Sequence, residues 1–160
     1  MNSTELKHTD FKAIVTQSIE QRRHIHQTPE LAWSEQDTTQ LIRQTLDELN
    51  IPWDECTKTG TIGRLAPNAS GLHIALRGDI DALPIDEKSG VNWQSQRTKC
   101  MHACGHDGHT AALLATARWL KLHESSLRGP VSLFFQPAEE GGHGAREMIK
   151  EGALKGIDEV

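Results

Sequence analysis

No run of about eighteen apolar residues occurs anywhere in the chain, so no segment has the pattern of a membrane-spanning helix. Met1 to Asp10 also lack the apolar stretch of a secretory signal. A cytoplasmic protein with no membrane partner is expected. Positive charge is scarce as well. The 17 Lys and Arg against 22 Asp and Glu leave a formal charge of −5, the opposite of the clustered basic footprint that DNA or RNA requires. No nucleic-acid partner is expected. Cysteine is sparse and odd in number, with Cys56, Cys100 and Cys104 only. Such a set without an export signal makes no disulfide framework, and reduced thiols are expected, although Cys100 and Cys104 could pair on oxidation. At 160 residues the chain is long enough to bury a core of one domain.

What the chain does have is one stretch unusually dense in chemistry, Met101-His-Ala-Cys-Gly-His-Asp-Gly-His-Thr110. His102, Cys104, His106 and His109 are all ligand types for a soft or borderline metal, with Asp107 as an oxygen donor among them. Gly105 and Gly108 let the backbone turn sharply, so that several of these side chains can converge.

Around this cluster the patterns alternate. Phe11, Ile14, Val15 and Ile19 recur at helical spacing behind a cap at Thr9 or Asp10. Ser34 and Asp37 resemble a capping box for a second helix through Leu49. Between them, Arg22-Arg23-His24-Ile25-His26 precedes a break at Pro29. The two arginines and two histidines suggest metal or anion binding, yet without a cysteine nearby they are read as a solvated helix end. Thr61–Ala66 and Leu72–Arg77 have strand composition with turn residues between them and read as a hairpin. Glu87–Lys99 reads as a loop anchored by Trp93, and Thr110–Leu122 as a buried helix. Val131–Phe135 fits a strand buried on both faces. A short helix around Met148 ends at Gly152, and a strand begins at Ile157.

Strands alternating with helices predict an α/β fold, with a mixed, largely parallel central sheet flanked by helices on both faces. Asp79 and Asp81 follow one predicted strand and Glu139 and Glu140 another, so one sheet edge can collect them beside the His/Cys cluster. Thiolate, imidazole and carboxylate together favour a divalent metal, and a second carboxylate beside it is what hydrolysis asks of a general base. Singly, each part has a plainer explanation. Asp79 and Asp81 can be turn acids, Cys104 a buried thiol, and His102 or His109 core histidines. A Cys104–His106 nucleophilic pair would leave Glu139 and Glu140 without a role.

Four ordered motifs then stand out: Arg22–Leu31, Arg77-Gly-Asp-Ile-Asp-Ala-Leu-Pro-Ile85, Met101–Thr110 and Phe135-Gln-Pro-Ala-Glu-Glu-Gly141. Together they resemble the M20 metallopeptidase family, and more narrowly its amidohydrolase branch of hippurate hydrolases, N-acyl-amino-acid amidohydrolases and auxin-conjugate hydrolases. The resemblance implies hydrolysis of the amide bond of a small N-acyl amino acid at a site holding two divalent ions, Zn, Mn, Ni or Co. It implies Cys104, His106 and Glu140 as metal ligands, with Cys104 bridging, and Glu139 as the base that activates water and returns the proton to the leaving amine. Asp81 matches the acid that orients the site. Asp79 falls where other branches place a ligand histidine, and with His102 and His109 it is expected to support the ligands. Family members are longer, with a dimerisation domain and two further ligand histidines. Residues 1–160 are therefore expected to be the amino-terminal portion of a catalytic domain, inactive alone or kept as a non-catalytic metal-binding or interaction remnant. An apolar sheet edge left exposed would favour a homo-oligomer.

Overall fold

Five of the six residues of strand β4 (Val131–Gln136) are buried, and the rest of the fold is arranged on its two faces. The structure, a computed structural model, describes residues 3–160, with side-chain surroundings from Asp10 onward. In chain order α1 (Ser3–Gln27) and α2 (Gln36–Glu48) precede β1 (Trp53–Cys56), β2 (Gly60–Leu65) and β3 (Ile74–Asp79). Then come α3 (His106–Leu122), a single 3-10 turn, β4 and α4 (Gly144–Lys150). Leu133 and Phe135 of β4 point to one face, where Ile42 and Leu46 of α2 and Leu113, Leu114 and Ala117 of α3 cover them. Phe134 points to the other, against Ile62, Ala75 and Met148 of α4. The alternation along one apolar strand thus builds two cores. Helix α1 packs over α3 as an outer layer.

The strand order is β1-β2-β4-β3. The expected hairpin between the second and third strands does not form, because β4 lies between them, antiparallel to β2 and parallel to β3. The helical crossover α3 separates β3 from β4 in the chain, and such a connection returns the chain in the same direction. The true hairpin is β1–β2, closed at Thr57 with φ +62. The sheet is mixed and carries helices on both faces as expected, but only one of its three pairings is parallel. Residues 157–160 add a single parallel bridge, Ile74 to Glu159.

Helix limits differ from the sequence patterns in instructive ways. Helix α1 runs through Thr9 and Asp10, which therefore do not cap it, and stops two residues before Pro29. Helix α2 begins at Gln36 without the Ser34–Asp37 box. Its free amides are met instead by Glu30, whose carboxylate accepts the N–H groups of Asp37 (3.1 Å) and Thr38 (2.8 Å), which satisfies the orphan donors of a helix start. Trp93 anchors its loop under the Arg23 guanidinium, 4.1 Å from the ring centre. Among the described residues no helix is long and apolar enough to cross a membrane.

Candidate metal centre

Helix α3 starts at His106, four residues ahead of the expected Thr110, because Gly105 at φ +87 takes the left-handed turn that caps it. The cluster is thereby split, with Met101–Cys104 in the approach loop and His106–His109 in the first helical turn. Thr110 fastens that turn to the sheet, its hydroxyl shared between the carbonyls of His106 (2.9 Å) and Asp79 (3.2 Å). His106 is buried, and its Nδ1 donates to the Asp81 carbonyl at 2.9 Å. That bond fixes the tautomer and leaves Nε2 free as a donor of electrons.

The Cys104 sulfur, a His106 ring nitrogen and a Glu140 oxygen lie within 4.8 Å of one another. Cys104 is exposed, and the Glu140 carboxylate beside it holds its thiol above the ordinary range. Glu140 Oε1 is buried with no hydrogen-bond partner. A buried carboxylate oxygen without a partner is costly, and a cation is what the position is short of. Sulfur, imidazole nitrogen and carboxylate oxygen form a donor set that fits zinc or a neighbouring divalent ion, with coordination positions left open.

Asp81 braces this set from behind. It is 1% exposed, and its Oδ2 accepts the Glu140 N–H at 2.9 Å. Oδ1 lies 3.3 Å from His106 Nδ1, whose proton is aimed at the Asp81 carbonyl. Burial alone would raise the Asp81 pKa, but His106 and the amides of Glu140 and Glu139 hold it below the usual carboxylate range. Burial likewise opposes charge on His106, and Asp81 more than offsets it, so His106 titrates above its ordinary value. Glu139 is exposed, with Oε2 3.9 Å from His106 Nε2.

Asp79, His106 and His109 form a second convergent group around the same imidazole, with Asp79 Oδ2 4.0 Å from His106 Nε2. There the charge is already answered. Arg77 donates to Asp79 Oδ1 through Nε (2.9 Å) and a terminal nitrogen (2.6 Å), and His109 Nδ1 meets Oδ2 at 3.3 Å. His102 is 3% exposed with neither ring nitrogen partnered, and burial pushes its pKa down to about 4. Its ring centre is 6.3 Å from that of His26.

His26 corrects one expectation. Arg22, Arg23 and His24 are exposed at the end of α1 as expected, but His26 is buried, with Nδ1 2.9 Å from Asp107 Oδ2 and Nε2 3.2 Å from Glu87 Oε1. Arg22 donates to the same Asp107 oxygen at 2.9 Å. Arg22 and His26 are four apart and so share one helical face, which was the available signal. These contacts tie α1 to the turn that carries His106. Cys56, Cys100 and Cys104 are all free thiols, and Cys100 points away to the Pro29 carbonyl at 3.3 Å.

The model for peptidase family M20/M25/M40 matches residues 75–160. An N-acetyl-L-cysteine deacetylase of Bacillus subtilis is 48% identical over 152 residues, covering 94% of this chain and 36% of the relative. The IAA-amino acid hydrolase ILR1-like 5 of Arabidopsis thaliana is 41% identical over 140 residues, covering 87% and 32%. The crystal structure of the Bacillus subtilis YXEP protein, described as a dinuclear metal binding peptidase, superposes with a TM-score of 0.87 at 42% identity. It is matched over 91% of this chain and 42% of its own. The chain thus spans about two fifths or less of the length of these relatives.

Proposed function

The chain belongs to peptidase family M20/M25/M40, and on that premise we propose that it builds part of a metal-dependent amidohydrolase site that releases an amino acid from a small N-acyl amino acid. The observation that carries this is the convergence of Cys104, His106 and Glu140 around a buried carboxylate oxygen without a partner, with Glu139 next in the chain. The substrate class is supported by the relatives, one a deacetylase of N-acetyl-L-cysteine and one a hydrolase of IAA-amino acids. The activity is proposed for the whole protein, in which residues 1–160 supply the amino-terminal portion of the catalytic domain.

In this reading Cys104, His106 and Glu140 hold a divalent ion, and the complete site is dinuclear like that described for the YXEP protein. Zn, Mn, Ni and Co all suit the donor set. When bound, the ion supplies Lewis-acid polarisation and lowers the pKa of water. The protein's own groups do the rest. Asp81 keeps the His106 proton on Nδ1 and holds the Glu140 backbone in place. Glu139, exposed on the same rim, takes a proton from the attacking water and returns it to the leaving amine.

The test is release of free amino acid from N-acetyl- or N-benzoyl-amino acids by the whole protein, with and without a chelator. E139Q is expected to lower kcat by about 100-fold or more while metal content stays the same. Unchanged turnover in E139Q rejects the assigned base. Full metal loading with no turnover on any N-acyl amino acid identifies a non-catalytic metal-binding module instead.

A further inference from the structure

Glu139 and Glu140 sit in the turn that joins β4 to α4. Two non-glycine residues of that turn hold left-handed backbone, Ala138 at φ +51 and His143 at φ +58. A Cβ in that region crowds the following carbonyl, so such residues persist only where their surroundings over-determine them. The turn is also folded tightly on itself, since a side chain at Gly142 would collide with Ala138 and with the Trp33 indole.

The surroundings of Ala138 are supplied from a distant part of the chain. Glu35, the residue before α2, is 0% exposed. Its Oε1 accepts the Ala138 N–H at 2.9 Å and its Oε2 the Thr59 hydroxyl at 2.6 Å. Its partners are an amide and a hydroxyl rather than a cation, and burial pushes its pKa up. A carboxyl in such a place is unfavourable unless its accepting oxygens are needed. Trp33, two residues away, donates its indole N–H to the Gly142 carbonyl at 3.1 Å. On the far side of Glu139, Asp81 accepts the Glu140 N–H. Glu139 therefore lies between two amides, each bonded to a buried carboxylate from a different region.

We propose that Glu35 is a positioning residue for the Glu139–Glu140 turn, holding Ala138 in its left-handed conformation so that Glu139 faces His106 and Glu140 faces Cys104. The proposal rests on Glu139 as the base and Glu140 as a ligand. The side-chain hydrogen bonds of Glu35 go to Ala138 and Thr59, not to Cys104, His106 or Glu140.

Two measurements on the whole protein test it, amide hydrogen exchange at residues 138–140 without metal, and titration with Co(II) followed by its visible absorption. E35A is expected to speed exchange at Ala138 and to weaken Co(II) binding by about ten-fold, with an altered Co(II) band, as loss of a residue that orients a ligand does. Adding A138G, which adopts the left-handed region without strain, is expected to recover most of the Co(II) affinity. I42V, which trims the core away from the turn, is expected to change neither readout. Exchange and Co(II) binding in E35A equal to those of I42V overturn the proposal. If E35A does not fold, T59A, which removes the hydroxyl that holds Glu35 Oε2, carries the same measurements with smaller shifts of the same sign, and no shift overturns it. If the unaltered whole protein binds no Co(II), the functional reading falls, and the exchange data alone decide the clamp.

Discussion

His106 has two flanks with nearly the same inventory, and they differ in what is left over. Toward Cys104 and Glu140 the groups are a thiol, an imidazole and a carboxylate; toward Asp79 and His109 they are two imidazoles and a carboxylate. On the second flank Asp79 is already bonded through one oxygen to Arg77 and through the other to His109. On the first, Glu140 keeps a buried oxygen with no partner and raises the pKa of the neighbouring thiol. Ligand types in proximity are therefore a weak criterion. Asp79 has its charge neutralised by Arg77 as in a structural ion pair, whereas Glu140 sets a buried, unpartnered oxygen beside a thiol and an imidazole, the combination a cation would answer.

The contrast can be broken by substitution. H106A removes the group common to both flanks and is expected to have the largest effect, a loss of about 1,000-fold in Zn(II) or Co(II) affinity by calorimetry, equivalent to about 4 kcal/mol. E140Q follows, with a loss of about 100-fold, and it should also let the Cys104 thiol titrate closer to its ordinary range, visible as thiolate absorbance in the metal-free chain. D79N should change metal affinity by less than about three-fold and, because Arg77 is substantially exposed, should cost no more than about 1 kcal/mol of stability. A D79N loss as large as that of E140Q would erase the distinction between the flanks.

A reference far from both flanks sharpens the alkaline end of such titrations. Cys56 lies beneath α4, and burial, with Glu151 adding to it, pushes its thiol up to about 11. The folded chain keeps a proton that the unfolded chain releases, so this stabilisation is whole below the unfolded thiol pKa and is lost as pH rises toward 11. Thermal unfolding should show a decline on the order of 2 kcal/mol over that window, absent in C56A.

Much of this was legible because it is local. The spacing of Cys104 and His106, the apolar run of β4 and the acids just past β3 and β4 can all be read in windows of ten residues. Pairing was not. Residues 61–66 and 72–77 read as a hairpin, and nothing within them reveals that a strand nearly 60 residues later inserts between them. β1 was missed because Trp53-Asp-Glu-Cys56 is short and carries acids on an edge strand. The buried charges were the hardest. Glu35 and His26 look like surface residues of polar segments, and only tertiary contact with Ala138 and Asp107 shows otherwise. His106 could be chosen as a ligand from sequence, but its free nitrogen follows from the Asp81 carbonyl, a backbone atom with no sequence signature.

The central place of β4 also has a consequence for the order of assembly during synthesis. It is the last of the four strands to emerge, yet both β2 and β3 pair with it. Until it arrives, β3 has no neighbour in the sheet and the nascent chain displays β2 with an open edge, a state that favours aggregation. Glu140 follows the end of β4 by only four residues. Closure of the sheet and completion of the Cys104–His106–Glu140 set are thus nearly one event. Cys104 precedes Glu140 by 36 residues, so during synthesis its thiol emerges before the carboxylate that lies beside it in the folded chain.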